Sequence, residues 1–148
     1  MQIRETTIED LGSVIELVAS VSQADILPHF NEEGRETFLS KVLPDVKTSF
    51  NKDRFETLKV IDNGKLVGFG AIRDRDYITH LFIENSYQGT GLGKLLLEQL
   101  LKLSNYEDVR LRASVNAVNF YESQGFKATD KETQVNGIRF VPMSRSST

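Results

Sequence analysis

A strand, a glycine-rich turn and a helix follow one another in the second half of the chain, and this combination limits the fold more than any other feature. Residues 77–83 form an apolar run that predicts a buried strand, and the leucine-rich segment 95–103 predicts a helix. Between them, residues 87–94 hold three glycines within five positions. Glycine lets the main chain approach an anion closely, and a helix start offers free N–H groups and the positive end of the helix dipole. The sequence therefore predicts a phosphate-binding turn.

Two common nucleotide-binding motifs do not fit this turn. A P-loop would need glycine where Gln88 stands and a hydroxyl residue where Leu95 stands. The Gly-x-Gly-x-x-Gly turn of dinucleotide-binding folds would have its last glycine at Lys94, and it would follow the first strand of the fold. This turn lies past the middle of the chain, so we expect neither motif.

The composition excludes several kinds of chemistry. The chain has 148 residues, of which 39% are hydrophobic and 26% charged, as expected for a single globular domain over residues 1–148. A formal net charge of -3 argues against nucleic acid as a partner. The absence of cysteine excludes disulfides, thiolate catalysis and cysteine-bound zinc, and it is compatible with a cytoplasmic location. We expect no membrane span and no signal peptide, because no apolar run approaches the length of a span.

Hydrophobic periodicity and turn residues predict a mixed α/β sheet, mostly antiparallel, with helices on both faces and the order β-α-α-β-β-β-α-β-α-β-β. The predicted strands are residues 2–6, 55–61, 66–73, 77–83, 108–113, 126–133 and 138–144, and the predicted helices are residues 8–18, 31–43, 95–103 and 115–123. The Asn63-Gly64 pair predicts a tight hairpin turn. Pro44 is expected to end the second helix, and a polar loop is expected over residues 45–54.

Two motifs resemble those of a known family. Residues 88–93 fit the pattern Gln/Arg-x-x-Gly-x-Gly/Ala, which resembles the pyrophosphate loop of the GNAT superfamily of N-acetyltransferases. Residues 117–126 fit Ala-x-x-Phe-Tyr-Glu-x-x-Gly-Phe, which resembles a second segment of that family, and the order of elements is also similar. The resemblance implies an enzyme that uses acetyl-CoA and no metal. It implies acetyl transfer to a primary amine by direct attack in a ternary complex, and a homodimer, since relatives are often dimers.

The resemblance also implies how acetyl-CoA binds. In the family, the strand before the glycine turn diverges from the next strand, and the pantetheine arm enters the gap. Amides of the turn bind the pyrophosphate, and one strand N–H faces the thioester carbonyl as the oxyanion donor. The cofactor-binding residues implied in this sequence are Leu81, Phe82, Ile83, Gln88, Gly89, Thr90, Gly91, Leu92, Gly93, Lys94, Ser114 and Asn119. Many relatives carry an asparagine where Ser114 stands, so either Ser114 or Asn119 is expected to contact pantetheine.

The proton-transfer residues are only partly implied. Tyr121 matches the family position that often protonates the coenzyme A thiolate, and a phenol is protonated at neutral pH. The family positions that often hold a general base correspond to Tyr77 and Thr79 in this sequence, and neither is an obvious base. Tyr77 is therefore a candidate proton relay, and Glu84, at the end of the same strand, is a candidate base. Strand alternation points His80 to the other face and favours a structural role for it. Further candidates lie in the region of the two first helices: Asp25, His29, Glu32 and Glu33. A non-catalytic acyl-CoA sensor on the same fold is the alternative function.

Overall fold

An eight-stranded sheet forms the centre of the molecule, in a computed structural model that describes residues 1–104 and 107–146. The strands are β1 (Gln2–Glu5), β2 (Phe55–Asp62), β3 (Lys65–Arg73), β4 (Tyr77–Ile83), β5 (Asp108–Ser114), β6 (Lys127–Ala128), β7 (Thr133–Val135) and β8 (Ile138–Ser146). The helices are α1 (Leu11–Val21), α2 (Glu32–Ser49), α3 (Leu92–Lys102) and α4 (Val118–Ser123). The strand order is β1-β2-β3-β4-β5-β8-β6, with β7 paired to β8 outside this path. β4 and β5 are parallel, and the other neighbours are antiparallel, so the predicted sheet type is confirmed.

Each face of the sheet carries its own apolar core. On one face, α1 and α2 pack Val14, Val18 and Val46 against Phe69 and Ala71 of β3. On the other face, α3 and α4 pack their apolar side chains against the opposite side of β3, β4 and β5. The residues of this second core include Ile72, Ile78, Leu97, Leu100, Val109, Leu111, Tyr121 and Phe126. The predicted placement of helices on both faces is therefore confirmed.

The predicted end of the second helix is wrong. The helix starts as expected, with Asn31 Oδ1 accepting a hydrogen bond from Gly34 N at 2.8 Å, but Pro44 lies inside α2, which continues to Ser49. The last turn buries Val46 and Ser49 almost completely, and Ser49 Oγ donates to Val46 O at 2.6 Å. Burial of this turn outweighs the hydrogen bond that proline cannot make. The first half of the expected polar loop, residues 45–49, is therefore helical.

The predicted hairpins differ in accuracy. Asn63 and Gly64 have φ values of 50° and 77°, the positive values of a two-residue hairpin turn. The single strand predicted over residues 126–133 is wrong, because the structure has two short strands there, β6 and β7, which both pair with β8. Between them the chain turns, and Asp130 Oδ1 accepts a hydrogen bond from Lys131 N at 2.8 Å. A short local turn therefore replaces the centre of the expected strand.

The helical segment Ile8–His29 is long and apolar enough to cross a membrane, contrary to the expectation of no such segment. Its mean hydropathy is 1.2 in the most apolar window. The α1 part of the segment packs Val14, Leu17 and Val18 into the core beneath the sheet. Because a core helix passes the same test of length and composition, the segment is weak evidence for a membrane span.

Candidate functional site

β4 and β5 separate along their length and leave a gap inside the sheet. Among the described residues, their register contains the single pair Tyr77 and Arg110, and Arg110 N donates to Asp76 O at 2.9 Å. Farther along, each strand pairs only with its outer neighbour, with Leu81 opposite Gly70 and Ser114 opposite Phe140. The strands therefore diverge as the family resemblance implied.

The main-chain groups of Leu81 and Ile83 face this gap. Glu84 N donates to Val67 O of β3 at 2.9 Å, so Glu84 faces β3. Because main-chain groups alternate sides along a strand, Phe82 also faces β3, and Leu81 and Ile83 face the opposite way. The main-chain role implied for Phe82 does not fit this geometry, although its side chain lines the adjacent cleft.

The glycine turn has the backbone conformation that only glycine adopts readily. Gly89 and Gly91 have φ values of 79° and 86°, and Gly91 is the residue immediately before α3. Leu92 is 4% exposed and anchors the start of the helix in the core. Thr90 Oγ1 donates to Tyr87 O, so this hydroxyl stabilises the turn itself. The turn leaves the first N–H groups of α3 in position for an anion.

The turn and the gap belong to one cleft of about 840 Å³. Of the implied cofactor-binding residues, those that line it are Leu81, Phe82, Ile83, Gln88, Gly89, Gly91, Gly93, Lys94 and Ser114. The expected residues Thr90, Leu92 and Asn119 do not line it, and Asn116, which sequence reasoning missed, does. Asn116 lies in the short 3-10 turn before α4, whereas Asn119 is an exposed residue of α4 itself. The cleft has the size of a small-molecule site.

Tyr121 forms part of the cleft wall and of the core. Its ring makes edge contacts with Phe120 and Phe126, at centroid distances of 5.2 and 5.6 Å, and the residue is 8% exposed. Burial raises the pKa of Tyr121 above its ordinary value of about 10. The phenol is therefore protonated at neutral pH, and it can donate a proton but not accept one there.

Glu84, the candidate base, and Tyr77, the candidate proton relay, do not line this cleft. Glu84 Oε1 accepts from Lys65 Nζ at 2.9 Å, at the edge formed by β3 and β4, so its position does not suit a base. Tyr77 lies beneath the Arg73 guanidinium, 4.8 Å from ring centroid to Cζ, and lines a smaller cavity of about 280 Å³. His29, Glu32 and Glu33 do not line the main cleft, whereas Asp25 does and accepts from Gln88 Nε2 at 2.8 Å.

His80 lines the cleft, on the face of β4 that packs against α1 and α2. The register of β3 and β4 shifts between Ala71 and Ile72, which makes Thr79 the extra residue of a β-bulge. His80 Nδ1 lies 2.8 Å from Thr79 Oγ1, and its ring makes an edge contact with Phe69. Burial lowers the pKa of His80 to about 4, so the imidazole is neutral at neutral pH. Period-two alternation could not reveal a bulge.

Comparison with known proteins agrees with this geometry. Residues 26–147 match the family described as the acetyltransferase (GNAT) domain. An uncharacterized N-acetyltransferase, ycf52, of Gracilaria tenuistipitata var. liui is 38% identical over 85 residues, which cover 53% of this chain and 46% of the relative. The [ribosomal protein bS18]-alanine N-acetyltransferase of Haemophilus influenzae is 33% identical over 86 residues, which cover 53% of this chain and 59% of the relative. The chain thus spans about half the length of these curated relatives.

Solved structures match over almost the whole chain. The PaiA N-acetyltransferase of Thermoplasma acidophilum, solved in complex with coenzyme A, has a TM-score of 0.76 and 25% identity, and the match covers 98% of both chains. A GNAT-family acetyltransferase of Staphylococcus aureus has the same fold, with a TM-score of 0.74 and 16% identity over 99% of both chains. Because the family match extends over most of the sequence, this chain belongs to the acetyltransferase (GNAT) domain family.

Proposed function

We propose that this protein is an N-acetyltransferase that moves an acetyl group from acetyl-CoA to a primary amine, with both substrates bound at once. One observation carries the proposal: a single cleft joins the glycine turn, the gap between β4 and β5, Tyr121 and His80. An anion site, free main-chain amides and two proton-transfer side chains thus share one space. Acetyl-CoA supplies the acetyl group as a thioester, and its sulfur leaves as a thiolate.

Main-chain N–H groups hold the co-substrate in this proposal. The first amides of α3, at Leu92 and Gly93, are suited to the pyrophosphate, because no atom lies within 4 Å of a Cβ built on Gly89 or Gly91 in the turn before them. The amides of Leu81 and Ile83 face the gap and are suited to the carbonyl groups of the pantetheine arm. One of these two N–H groups would also stabilise negative charge on the reacting carbonyl oxygen.

Two side chains move protons. The neutral amine forms the new bond from nitrogen to the acetyl carbon while the bond from carbon to sulfur breaks. Tyr121 donates its phenol proton to the departing sulfur and regains one from solvent. The neutral His80 imidazole accepts the proton that the amine loses, directly or through a water molecule. Burial lowers the pKa of His80 to about 4, so the imidazole is neutral at neutral pH but a weak base, and it takes the proton only after the new bond to carbon has made the nitrogen acidic.

The similar proteins support the reaction class but not the acceptor. Two relatives are named N-acetyltransferases, and one similar structure contains coenzyme A. Since the curated relatives match over only about half their length, their acceptors are not transferred to this chain. A single acyltransferase domain over residues 1–148, a cytoplasmic location and a homodimer stay predictions.

Thermal denaturation with acetyl-CoA, ATP and NAD in parallel tests the proposal. A ligand that binds only the folded state stabilises it by about 3 kcal/mol at one hundred times its Kd, and the melting temperature rises accordingly. We expect a rise with acetyl-CoA alone, followed by coenzyme A release when primary amines are added. A rise without release for any amine would identify an acyl-CoA sensor, and no rise with acetyl-CoA would contradict the proposal.

A further inference from the structure

We propose that the acceptor amine also carries a carboxylate, and that Arg112 binds this carboxylate beside His80. The inference rests on the proposed function, because it identifies the acceptor class of the same cleft. The acceptor class that results is a small amino-acid-like amine.

Arg112 lies on the same face of the sheet as His80. The alternate residues Val109, Leu111 and Ala113 of β5 are buried against α3 and α4, so Arg112 points to the α1 and α2 side. His80 is opposite Ala71, which packs on that same side. The two residues therefore flank the gap on neighbouring strands, where β4 and β5 begin to separate.

Arg112 and His80 also share two cavities. The main cleft and the smaller cavity of about 280 Å³ are both lined by Thr79, His80, Arg112 and Asp45, so the two spaces adjoin at these residues. An acceptor that enters beside His80 would thus extend towards the guanidinium of Arg112. The glycine turn does not line the smaller cavity, so a group bound there leaves the turn free for the co-substrate.

The Arg112 guanidinium is available for a ligand. Within residues 1–104 and 107–146, no carboxylate lies within 4.0 Å of it, whereas Arg54 and Arg139 are paired with Asp74 and Glu132 at 2.6 and 2.8 Å. Its Cζ lies 4.6 Å from the ring centroid of Phe140, which places an aromatic surface against the cation. A phenyl ring carries no oxygen to accept a hydrogen bond, so this contact leaves the guanidinium N–H groups able to bind a carboxylate in the bidentate manner.

The charges around the smaller cavity favour an anion. Its lining includes two arginines, Arg73 and Arg112, and one acid, Asp45. Burial raises the pKa of Asp45, and the positive charge of Lys41 opposes that shift. The remaining acid of the main cleft, Asp25, is bonded to Gln88 near the glycine turn. An acceptor of this kind would find Arg112 for its carboxylate, with its amine beside His80, the acceptor of the amine proton.

Pairs of amines that differ only in the carboxylate test this proposal. We would compare small amino acids with their carboxamides, and measure acetyl transfer by wild type, Arg112→Gln, Arg112→Lys and Arg110→Gln. Arg110 points to the same side of β5 but lies outside both cavities, so it is the matched control. We expect Arg112→Gln to lower kcat/KM for the amino acid by about 10- to 100-fold, mainly through KM, because a charged hydrogen-bonding partner is lost.

The carboxamides keep this result specific. Their kcat/KM should change little in Arg112→Gln, and Arg112→Lys should restore part of the preference because it keeps the charge without the planar fork. A wild-type enzyme that acetylates amino acids and carboxamides equally, or that prefers polycationic amines, would overturn the acceptor proposal while leaving the proposed function intact.

A binding measurement separates the two proposals when turnover is slow. Thermal denaturation with an N-acetylated amino acid reports the Arg112 site, and denaturation with acetyl-CoA reports the rest of the cleft. We expect Arg112→Gln to lose the first stabilisation and keep the second. If the N-acetylated amino acid stabilises both proteins equally, or neither, the carboxylate proposal fails. If acetyl-CoA stabilises neither, the proposed function fails.

Discussion

The close approach of α2 to the turn between β7 and β8 gives a sharp prediction for Gly34→Ala. A Cβ built on Gly34 would lie 2.1 Å from the carbonyl oxygen and 2.5 Å from the carbonyl carbon of Gly137. Both neighbours are main-chain atoms, so the hairpin would have to retreat by about 1 Å or more to reach ordinary contact distances. Overpacking of this kind costs about 1–3 kcal/mol.

A second helical glycine, Gly12 of α1, offers a matched control. Alanine in a helix is about 1 kcal/mol more favourable than glycine, so each Gly→Ala change gains this amount before packing is counted. Gly12 lies in α1, and no atom is within 4 Å of a Cβ built there. Gly12→Ala should therefore raise the free energy of unfolding by up to about 1 kcal/mol. Gly34→Ala should lower it by up to about 2 kcal/mol.

Thermal denaturation of the two variants measures this difference. One kcal/mol corresponds to roughly 2–4 °C in a domain of this size. We expect Gly12→Ala to melt at or above the temperature of the wild type, and Gly34→Ala to melt several degrees below it. Equal melting temperatures for the two variants, or a more stable Gly34→Ala, would refute the close packing of the hairpin on the start of α2.

Three further predictions concern the cleft. Tyr121→Phe should lower kcat by about 100-fold or more while the Kd for acetyl-CoA changes little, because the ring stays packed and only the proton donor is lost; unchanged kcat would remove the donor role. Gly91→Asp should abolish acetyl-CoA binding through strain at φ 86° and negative charge, whereas Gly64→Asp, at φ 77° in a distant hairpin turn, should cost stability but retain binding; retained affinity in Gly91→Asp would contradict the anion site. His80→Gln should lower kcat, and it should also make the stability of the folded protein less sensitive to acid. The pKa of His80 is lowered on folding, so its neutral form contributes stability above about pH 6.5, and this contribution is lost as the pH falls towards 4; equal acid unfolding of His80→Gln and wild type would show that the imidazole is not buried as described.

The sequence predicted the elements whose signal is local. The sequence predicts the strand Tyr77–Ile83 with its observed bounds and the Asn63-Gly64 turn, because both depend on short patterns of burial or backbone conformation. The glycine turn before α3 was found in the same way. These features are encoded within a few neighbouring residues, so no knowledge of the fold is needed to see them.

The features that the sequence did not predict depend on contacts between distant segments. Pro44 is tolerated because the helix turn after it buries Val46 against the core. His80 enters the cleft because the pairing of β3 with β4 places a bulge at Thr79. Arg112 has no motif around it, and its availability becomes visible only when the positions of all acidic residues are known. Contacts between distant segments thus determine where these residues lie.

The gap between β4 and β5 creates two strand edges in the interior of one sheet. Exposed edges generally invite pairing with other chains, which leads to aggregation. Here the core of α1 and α2 takes in Phe82 on one face, and the core of α3 and α4 takes in Leu81 on the other. Helices therefore cover both faces of the sheet beside these edges. The fold thus keeps two unpaired strand edges in the interior of the molecule instead of at the rim of the sheet.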